Sequence, residues 1–299
     1  PPATKPGSLT ATASAAAVFF SEGACQMKPA FELFGYRMPT YGIMMLLALL
    51  SAFFVLWRLV RRRGVRIECA ITVTACAFGF ALVGGYVTYM LASVGIPAIL
   101  AAAREGRLFE VLSRGGIVFY GGLIGGIFGA WLGARLVELR FVAIMDLCAP
   151  ALALAHAFGR VGCLFAGCCY GMPCELFFCF PLSSDIAGGA RLFPVQLFEA
   201  GCDLALFLAL LKYLKRPRPV PRAAGIYLMS YSAYRFILEF FRYDEIRGQL
   251  FGISTSQFLS IPVFLLGAVF CFALAPRSID PDPFRTEMGM IPGFKRGTR

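Results

Sequence analysis

Long apolar runs are the feature that most restricts the fold of this chain. A helix that crosses a lipid bilayer needs about 20 mostly apolar residues, and seven segments meet that need. They are 41–60, 69–94, 116–137, 141–158, 194–214, 224–241 and 257–275. Hydrophobic residues make up 59% of the chain and charged residues only 15%, against about 25% charged in soluble domains. The sequence therefore predicts an all-α, polytopic membrane protein with about seven transmembrane helices.

The distribution of basic residues predicts the orientation of these helices. Lys and Arg are concentrated in the cytoplasmic loops of membrane proteins. Of the 28 Lys and Arg residues, 17 lie in the last turn of the first, third, fifth and seventh predicted spans or in the segments that follow these spans. We therefore expect the N-terminus outside and the C-terminus inside, with the region 159–193 facing outward near the outer leaflet. The positive net charge of +11 is explained in this way, and it does not indicate binding to nucleic acid.

The regions that flank the spans are expected to have other roles. Residues 1–40 are predicted to be an extracytoplasmic segment in which 31–39 lie at the membrane interface. Residues 41–276 form the predicted membrane domain, and residues 277–299 form a cytoplasmic tail. We expect disorder in 1–20 and 280–299. No cleavable signal peptide is expected, because no basic region followed by an apolar core opens the chain.

A run rich in glycine, arginine and cysteine occupies 156–171, after the fourth predicted span. Glycine allows close approach of backbone or ligand, and arginine is a permanent cation whose planar donors suit phosphate. The run contains Arg160 and the glycines Gly159, Gly162, Gly167 and Gly171. This composition suggests a site for an anionic head group. The alternative is a helix end with a snorkelling arginine and small residues for helix packing.

A stripe of polar residues follows one face of the sixth predicted span. Its members are Tyr231, Arg235, Glu239 and Arg242, which fall within an arc of about 80° on a helix. Each charge inside a span costs about 2.5–3.5 kcal/mol on insertion scales, so we expect these side chains to be paired in the bundle interior. A purely structural Arg235–Glu239 pair is the alternative, and the second cation favours a site for lipid phosphate.

Five of the eleven cysteines lie close together after the fourth span: Cys163, Cys168, Cys169, Cys174 and Cys179. No pair has C-x-x-C spacing, so a structural zinc site is not expected. A disulfide from Cys168 or Cys169 to Cys174 or Cys179 is one option on the outer side of the membrane. His156 precedes Cys163 by seven residues, which would put a base and a thiol on one helix face.

Six motifs, in chain order between 41 and 276, resemble those of the prolipoprotein diacylglyceryl transferase family of bacterial membrane enzymes. They are Tyr41-Gly42, Phe119-Tyr120-Gly121-Gly122, Asp146-Leu147-Cys148-Ala149-Pro150, Gly159-Arg160-Val161-Gly162, Pro194-Val195-Gln196-Leu197-Phe198-Glu199, and the stripe from Tyr231 to Arg242. Each motif is weak alone, but six in order with similar spacing favour the fold of this family.

The resemblance implies a multi-pass enzyme of the bacterial cytoplasmic membrane. Its reaction moves a diacylglyceryl group from phosphatidylglycerol to the lipobox cysteine in the signal peptide of a prolipoprotein, and glycerol-1-phosphate leaves. The implied partners are these substrates and membrane lipids, with no metal and no dissociable cofactor. A related transferase with another acceptor and a non-catalytic phospholipid-binding protein are the alternatives. The paired half-spans typical of transporters are not found in the sequence.

The resemblance also implies roles for individual residues. Arg160 and Arg235 would bind the phosphate and stabilise the leaving group, and Glu239 would orient Arg235. Tyr231 and Tyr41 would position the head group through hydrogen bonds. The remaining substrate-binding candidates are Arg242, Gln196, Glu199 and the four glycines of the 156–171 run.

The chain departs from the family pattern at three positions. Tyr120 stands where the family has a histidine, Cys163 replaces an asparagine, and Cys168 replaces an acidic residue. The chain thus resembles a divergent branch that contains Gly-Cys-Cys-Tyr-Gly at 167–171. The resemblance implies that Tyr120 replaces the histidine as the base or as a group that orients the substrate. The residues alone favour the alternative that Tyr120 belongs to the aromatic belt at the membrane interface.

Overall fold

The structure is a computed structural model, which describes residues 30–33, 36–113, 116, 118–181, 189–216, 218–243, 249–250 and 253–277. The terminal segments that we expected to be disordered, 1–20 and 280–299, lie outside these residues. Most of the predicted cytoplasmic tail also lies outside them.

Helices dominate the described part of the chain, as predicted for an all-α protein. They are α1 (Thr40–Arg62), α2 (Ile67–Tyr89), α3 (Ile96–Arg104), α4 (Leu108–Leu112), α5 (Phe119–Leu136), α6 (Phe141–Phe165), α7 (Val195–Tyr213), α8 (Arg222–Leu238) and α9 (Thr255–Ala268). A π-helical turn at Met90–Val94 extends α2, and another at Val269–Leu274 extends α9.

Strands are few and short. The first antiparallel pair is β1 (Ala30–Leu33) with β2 (Tyr36–Pro39), so the predicted interfacial stretch at 31–39 is a strand pair that leads directly into α1. The second antiparallel pair is β3 (Gln249–Leu250) with β4 (Ile253–Ser254). Ser254 then caps α9, because its side chain accepts the backbone N–H of Gln257 at 3.2 Å.

Four described helices are long and apolar enough to cross a membrane: α1, α2 with its π-helical turn, α6, and α9 with its π-helical turn. This supports an all-α membrane protein. The other predicted spans correspond to α5, α7 and α8, which are helical but shorter or less apolar. Helix α5 contains six glycines in 18 residues, and α8 has only 17 residues. The prediction of about seven spans and of their orientation therefore stays a prediction.

Helix α6 is longer than its predicted span, 141–158. It continues through the Gly-Arg-Val-Gly motif to Phe165, so Arg160 and Cys163 project from its last two turns. Pro150 is accommodated inside the helix. The arginine is therefore held on a continuous helix and not on the loop that follows it.

The chain forms two compact units. Among the described residues, the first comprises those within 30–52, 149–218 and 222–277, and the second comprises those within 53–148 and 219–221. In the second unit α2 and α5 pack closely, since a Cβ on Gly121 or Gly125 would overlap the backbone of α2. A Cβ on Gly122 or Gly126 would instead lie 3.4 Å or 3.5 Å from the nearest atom of α2. The close contact uses glycines four residues apart.

In the first unit, α8 packs against both α7 and α9. A Cβ on Gly225 of α8 would lie 2.8 Å from the carbonyl oxygen of Gly267 of α9, so these two helices approach through glycine. The loop after α6 is bound to two other segments by backbone hydrogen bonds. Gly171 donates to Phe193 at 3.0 Å, and Met172 donates to Phe241 at 2.9 Å. These bonds align the end of α6, the start of α7 and the end of α8.

Candidate active site

Glu199 of α7 is the centre of a buried group of charges in the first unit. Its side chain is 1% exposed. Its Oε2 lies 2.9 Å from Nε of Arg160 and 3.9 Å from Nη1 of Arg242, and its Oε1 accepts a hydrogen bond from Nη1 of Arg235 at 3.0 Å. One carboxylate therefore holds three guanidinium groups that come from three different segments of the chain.

Glu239 supplies a second carboxylate. Its Oε2 lies 2.7 Å from Nη1 of Arg235 and 3.8 Å from Nε of Arg242. Nη2 of Arg235 also donates to Oγ of Ser256 at 2.9 Å. The structure thus contains the Arg235–Glu239 pair expected from the i,i+4 spacing, and the guanidinium of Arg235 is fixed on both sides.

The prediction that Tyr231, Arg235, Glu239 and Arg242 share one helix face is wrong for Arg242. Helix α8 stops at Leu238, a 3₁₀ turn covers Glu239–Phe241, and Arg242 has an extended backbone with φ −88° and ψ 149°. Arg242 is instead held by a β-bridge to Gly171. The side chain still reaches the group, because the loop after α6 holds this segment next to it.

Two glycines of the run have clear backbone roles. Gly167 has a φ of +66°, a conformation that favours glycine. A Cβ on Gly171 would lie 2.6 Å from the carbonyl oxygen of Phe193 and 2.7 Å from that of Phe241. The predicted close approach at Gly171 is therefore an approach of backbone to backbone.

The other two glycines lie within α6. A Cβ on Gly162 would lie 3.0 Å from Cβ of Met44 and 3.3 Å from Cδ2 of Tyr41, so Gly162 lets α6 pack on α1. Nothing lies within 4 Å of a Cβ on Gly159. Contact of these glycines with a lipid stays a prediction, and Gly162 already serves the helix packing that was the alternative interpretation.

The tyrosine and histidine candidates of α6 and α8 form an aromatic group. The rings of Tyr231 and His156 lie 5.0 Å apart between centroids, and Tyr231 also stacks on Tyr227 at 5.9 Å. Nδ1 of His156 lies 3.0 Å from the hydroxyl of Tyr227. The structure therefore pairs His156 with a tyrosine, whereas the sequence suggested a pairing with Cys163.

Tyr41, Gln196 and Tyr120 lie in different surroundings. The ring of Tyr41 contacts α6 at Gly162 and is 43% exposed. Gln196 is fully buried, and its Nε2 donates to the carbonyl of Cys168 at 2.7 Å. Tyr120 is near the N-terminus of α5, is exposed, and packs edge-on against Phe119. Because Tyr120 belongs to the second unit, its role stays a prediction.

The cysteines differ from the sequence expectation. The structure has a disulfide between Cys174 and Cys179, so the expected bridge from Cys168 or Cys169 to one of these two is wrong. The chain reverses direction after α6, and this turn places Cys168 and Cys169 next to the end of the helix. There the sulfur atoms of Cys163, Cys168 and Cys169 all lie within 4.8 Å of one another.

Sequence reasoning missed two polar residues of this region. Asp203 is fully buried in α7 and accepts a hydrogen bond from the hydroxyl of Tyr234. Ser256 is the second partner of Arg235. Asp203 was detectable, because it follows Glu199 by one helical turn and therefore shares its face. Ser256 was not, because it lies before the seventh predicted span with no motif around it.

The charges of the site favour an anionic ligand. Three guanidinium groups and two carboxylates are in mutual contact among the described residues, which leaves a net charge of +1. Arg160, at 18% side-chain exposure, is more accessible than Arg235 or Arg242. A phosphate group that approaches Arg160 would complete the balance, and hydrogen bonds between guanidinium and phosphate are among the strong ones.

Residues 28–273 match the family described as prolipoprotein diacylglyceryl transferase. The chain belongs to this family. The transferase of Clostridium tetani named phosphatidylglycerol--prolipoprotein diacylglyceryl transferase is 33% identical over 249 residues, which cover 82% of this chain and 97% of the relative. A second enzyme of that name from Clostridium perfringens is 33% identical over 238 residues, covering 79% and 91%. The Geobacter sulfurreducens enzyme is 32% identical over 263 residues, covering 84% and 96%.

The match to the prolipoprotein diacylglyceryl transferase family includes the buried charge group around Glu199. Arg160, Glu199, Arg235 and Arg242 all lie within the matched range. The resemblance stated from the motifs is thereby confirmed for the family.

Proposed function

We propose that this protein transfers the diacylglyceryl group of phosphatidylglycerol to the cysteine of a prolipoprotein and releases glycerol-1-phosphate. The observation that carries the proposal is the buried group around Glu199, in which Arg160 and Arg235 are held by one carboxylate. Support comes from relatives with this name, because the match to this chain covers more than 90% of the length of each relative. The membrane-spanning helices and the family fit a protein of the bacterial inner membrane.

The proposed reaction is an attack by a thiolate on the glyceryl carbon that carries the phosphate ester. The carbon–oxygen bond breaks, and the electron pair leaves with the phosphate oxygen. Fixed cations that face the developing negative charge stabilise such a transition state. Arg160 and Arg235 are proposed to supply these cations, and Glu199 and Glu239 keep their guanidinium planes in place without reorganisation during the reaction.

Other residues are proposed to position the substrates. Tyr41 and Tyr231 would donate hydrogen bonds to the head group, and Arg242 would contribute charge behind Arg160. Gln196 would act by holding the loop at Cys168. Tyr120 is proposed as the base or as an orienting group, in agreement with its position in the Gly-Gly motif.

The acceptor is proposed to be the lipobox cysteine of a signal peptide, and the site is proposed to face the outer leaflet. The distribution of Lys and Arg supports this orientation, since 17 of the 28 lie at the ends of alternate predicted spans or in the segments that follow them. Both the phospholipid and a translocated signal peptide would then reach the site from the same side of the membrane.

Complementation tests the proposal. The chain is expressed in a bacterium that is depleted of its own diacylglyceryl transferase and contains phosphatidylglycerol, and the size of a reporter lipoprotein is followed. We expect the lipidated form to return with the wild-type chain and with Arg104→Ala, an exposed arginine at the end of α3. We expect Arg235→Ala to abolish it. Absence of lipidation from a wild-type chain found in the membrane fraction would contradict the proposal.

A further inference from the structure

Three thiols meet at the C-terminal end of α6. The Sγ atoms of Cys163, Cys168 and Cys169 all lie within 4.8 Å of one another, and none of the three takes part in a disulfide. Cys163 is in the last turn of α6, and the other two follow in the loop. Cys168 is exposed while the other two are half-buried, so the group is open on one side.

The backbone is folded in a way that brings these thiols together. The N–H of Cys168 bonds to the carbonyl of Cys163 at 3.1 Å, and the N–H of Gly167 bonds to the carbonyl of Leu164 at 3.0 Å. This is the pair of bonds that closes a helix with a left-handed residue. It turns the chain back over the end of α6, so that Cys168 returns to Cys163 within five residues.

Cys169 has an unusual backbone conformation. Its φ is +62°, a value that is uncommon for a residue with a Cβ atom and that costs free energy. Such strain persists where the surrounding structure requires it, and it is frequent at ligand sites. Here the left-handed conformation directs the chain so that a third thiol joins the other two.

Two buried side chains support the group. Nε2 of Gln196 donates to the carbonyl of Cys168 at 2.7 Å, which fixes the loop. The guanidinium of Arg242 donates a hydrogen bond to Cys169. Hydrogen bonds of this kind orient the ligands of a metal ion, and a cation offsets the excess negative charge of three thiolates around a divalent ion.

We infer that Cys163, Cys168 and Cys169 bind a zinc-type divalent ion, whose fourth position takes the thiol of the acceptor. The second half of this inference rests on the proposed function. Zinc–sulfur bonds of about 2.3 Å in a tetrahedron place the sulfur atoms about 3.8 Å apart, so the thiols need to move by at most about 1 Å. Thiolates are also the ligands that zinc-type ions prefer.

The number of ligands indicates the kind of site. Structural zinc sites have four protein ligands, whereas catalytic sites have three and leave one position open. Among the described residues, no fourth Cys, His, Asp or Glu joins the three thiols. The inference departs from the expectation drawn from the sequence, because the spacing 163, 168 and 169 is not a recognised zinc pattern and becomes a site only through the turn after α6.

A thiol bound at the open position would be activated for the proposed reaction. Binding to the ion releases the thiol proton to water, because a coordinating thiol is deprotonated. The resulting thiolate forms the carbon–sulfur bond with the glyceryl carbon of phosphatidylglycerol. The carbon–oxygen bond to phosphate breaks, and glycerol-1-phosphate leaves with the bonding electrons. The ion is not oxidised or reduced, and Tyr120 would then act as an orienting group.

A titration with Cd²⁺ tests the metal site without any measurement of activity. The full chain is purified in detergent with a phosphine reductant and titrated with Cd²⁺, and the thiolate-to-metal absorption band is recorded. We expect one tightly bound Cd²⁺ per chain. Cys163→Ser and Cys169→Ser each remove a metal ligand and should each weaken Cd²⁺ binding by more than about 100-fold. Loss of a hydrogen bond that only supports a ligand weakens metal binding by roughly 10–100-fold.

Two controls separate this site from other cysteines. Cys202→Ser changes a half-buried cysteine of α7, and the double variant Cys174→Ser with Cys179→Ser removes the disulfide pair that the reductant opens. Both should bind Cd²⁺ as the wild type does. Equal binding by Cys169→Ser and wild type, absence of the band, or a native disulfide among the three thiols before reduction would each overturn the inference.

The fourth position is tested with Co²⁺-loaded protein and two peptides. A signal peptide with its lipobox cysteine should shift the visible cobalt spectrum, and the same peptide with serine should not. Equal shifts, or no shift, would overturn this half of the inference. Metal-free protein that transfers lipid at the full rate would also overturn it while leaving the proposed function intact. A shift without any transfer would contradict the proposed function and leave the metal site standing.

Discussion

Nε of Arg160 lies 2.9 Å from Oε2 of Glu199, and the two side chains come from different helices, α6 and α7. A carboxylate that is 1% exposed is too costly to bury in its charged form unless cations and hydrogen bonds surround it. Arg235 completes this environment at the other oxygen. The Arg160–Glu199 pair therefore joins the two helices and fixes the orientation of the Arg160 guanidinium, which we propose binds the phosphate.

Neutralisation of the shared carboxylate should damage both stability and transfer. Glu199→Gln leaves buried arginines with less negative charge, and breaking a buried ion pair costs about 3–5 kcal/mol. We expect a lower thermal unfolding midpoint in detergent and a large loss of diacylglyceryl transfer. Glu175→Gln, which changes an exposed carboxylate, is the matched control and should leave both quantities unchanged. Wild-type stability of Glu199→Gln would mean that the pair is not the centre of the site.

Arginine at 160 should not be replaceable by lysine. Lysine keeps the charge, but it lacks the planar fork that can contact Glu199 through Nε and a phosphate through the other nitrogens. We expect Arg160→Lys to lower kcat by roughly 100-fold, the loss found when one donor to a developing oxyanion is removed. Kinetics with phosphatidylglycerol vesicles measure this, with Arg104→Lys as the control. A kcat within twofold of wild type would show that charge alone is sufficient.

Sequence reasoning predicted the helices well because the apolar runs define them directly. Each of the seven predicted runs contains a helix in the described residues. Helix α6 extends past its predicted end because the glycine–arginine motif continues the helix. Helix α8 ends at Leu238, before the predicted end of the sixth span. The helical pattern of the sequence could not reveal this end, because it depends on a β-bridge between Arg242 and the distant Gly171.

The site was predictable where its residues share one helix and not where segments meet. The Arg235–Glu239 pair follows from i,i+4 spacing, and Asp203 could have been found on the face of Glu199. The central position of Glu199 could not, because it depends on how α6, α7 and the end of α8 are brought together. The same limit applies to the cysteines, whose grouping depends on two residues with positive φ after α6.

The loop after α6 should tolerate no side chain at 171. A Cβ there would lie 2.6 Å and 2.7 Å from two backbone oxygens, which cannot move without displacing the segments that carry Arg242 and the start of α7. We expect Gly171→Ala to destabilise the protein by about 1–3 kcal/mol and to reduce transfer. The comparison is with Gly201→Ala in α7, where nothing lies within 4 Å. The thermal unfolding midpoint should therefore fall in Gly171→Ala and not in Gly201→Ala.

The two adjacent thiols should differ in reactivity with pH. Hydrogen bonds from Cys163 and Cys168, and the charge of Arg242, lower the pKa of Cys169. A hydrogen bond from Cys163 acts to lower the pKa of Cys168. The hydrogen bond with Cys169, the burial of Cys168 and the charge of Cys169 act in the opposite direction, and the pKa of Cys168 is raised as a result. Because the thiolate is the nucleophile, metal-free protein should be alkylated at Cys169 at a lower pH than at Cys168. Peptide mapping after iodoacetamide treatment checks the order, and earlier labelling of the more exposed Cys168 would contradict it.

The central claim is that the arginines held by Glu199 promote transfer from phosphatidylglycerol to a cysteine thiol. Its most direct test uses the purified chain in vesicles with phosphatidylglycerol labelled in the acyl chains and in the head group, and a signal peptide with a lipobox cysteine. We predict equal amounts of acyl-labelled peptide and released glycerol-1-phosphate from the wild type, and neither product from Arg160→Ala or from a serine peptide. Full product formation by Arg160→Ala, or release of glycerol-1-phosphate without a labelled peptide, would contradict the account.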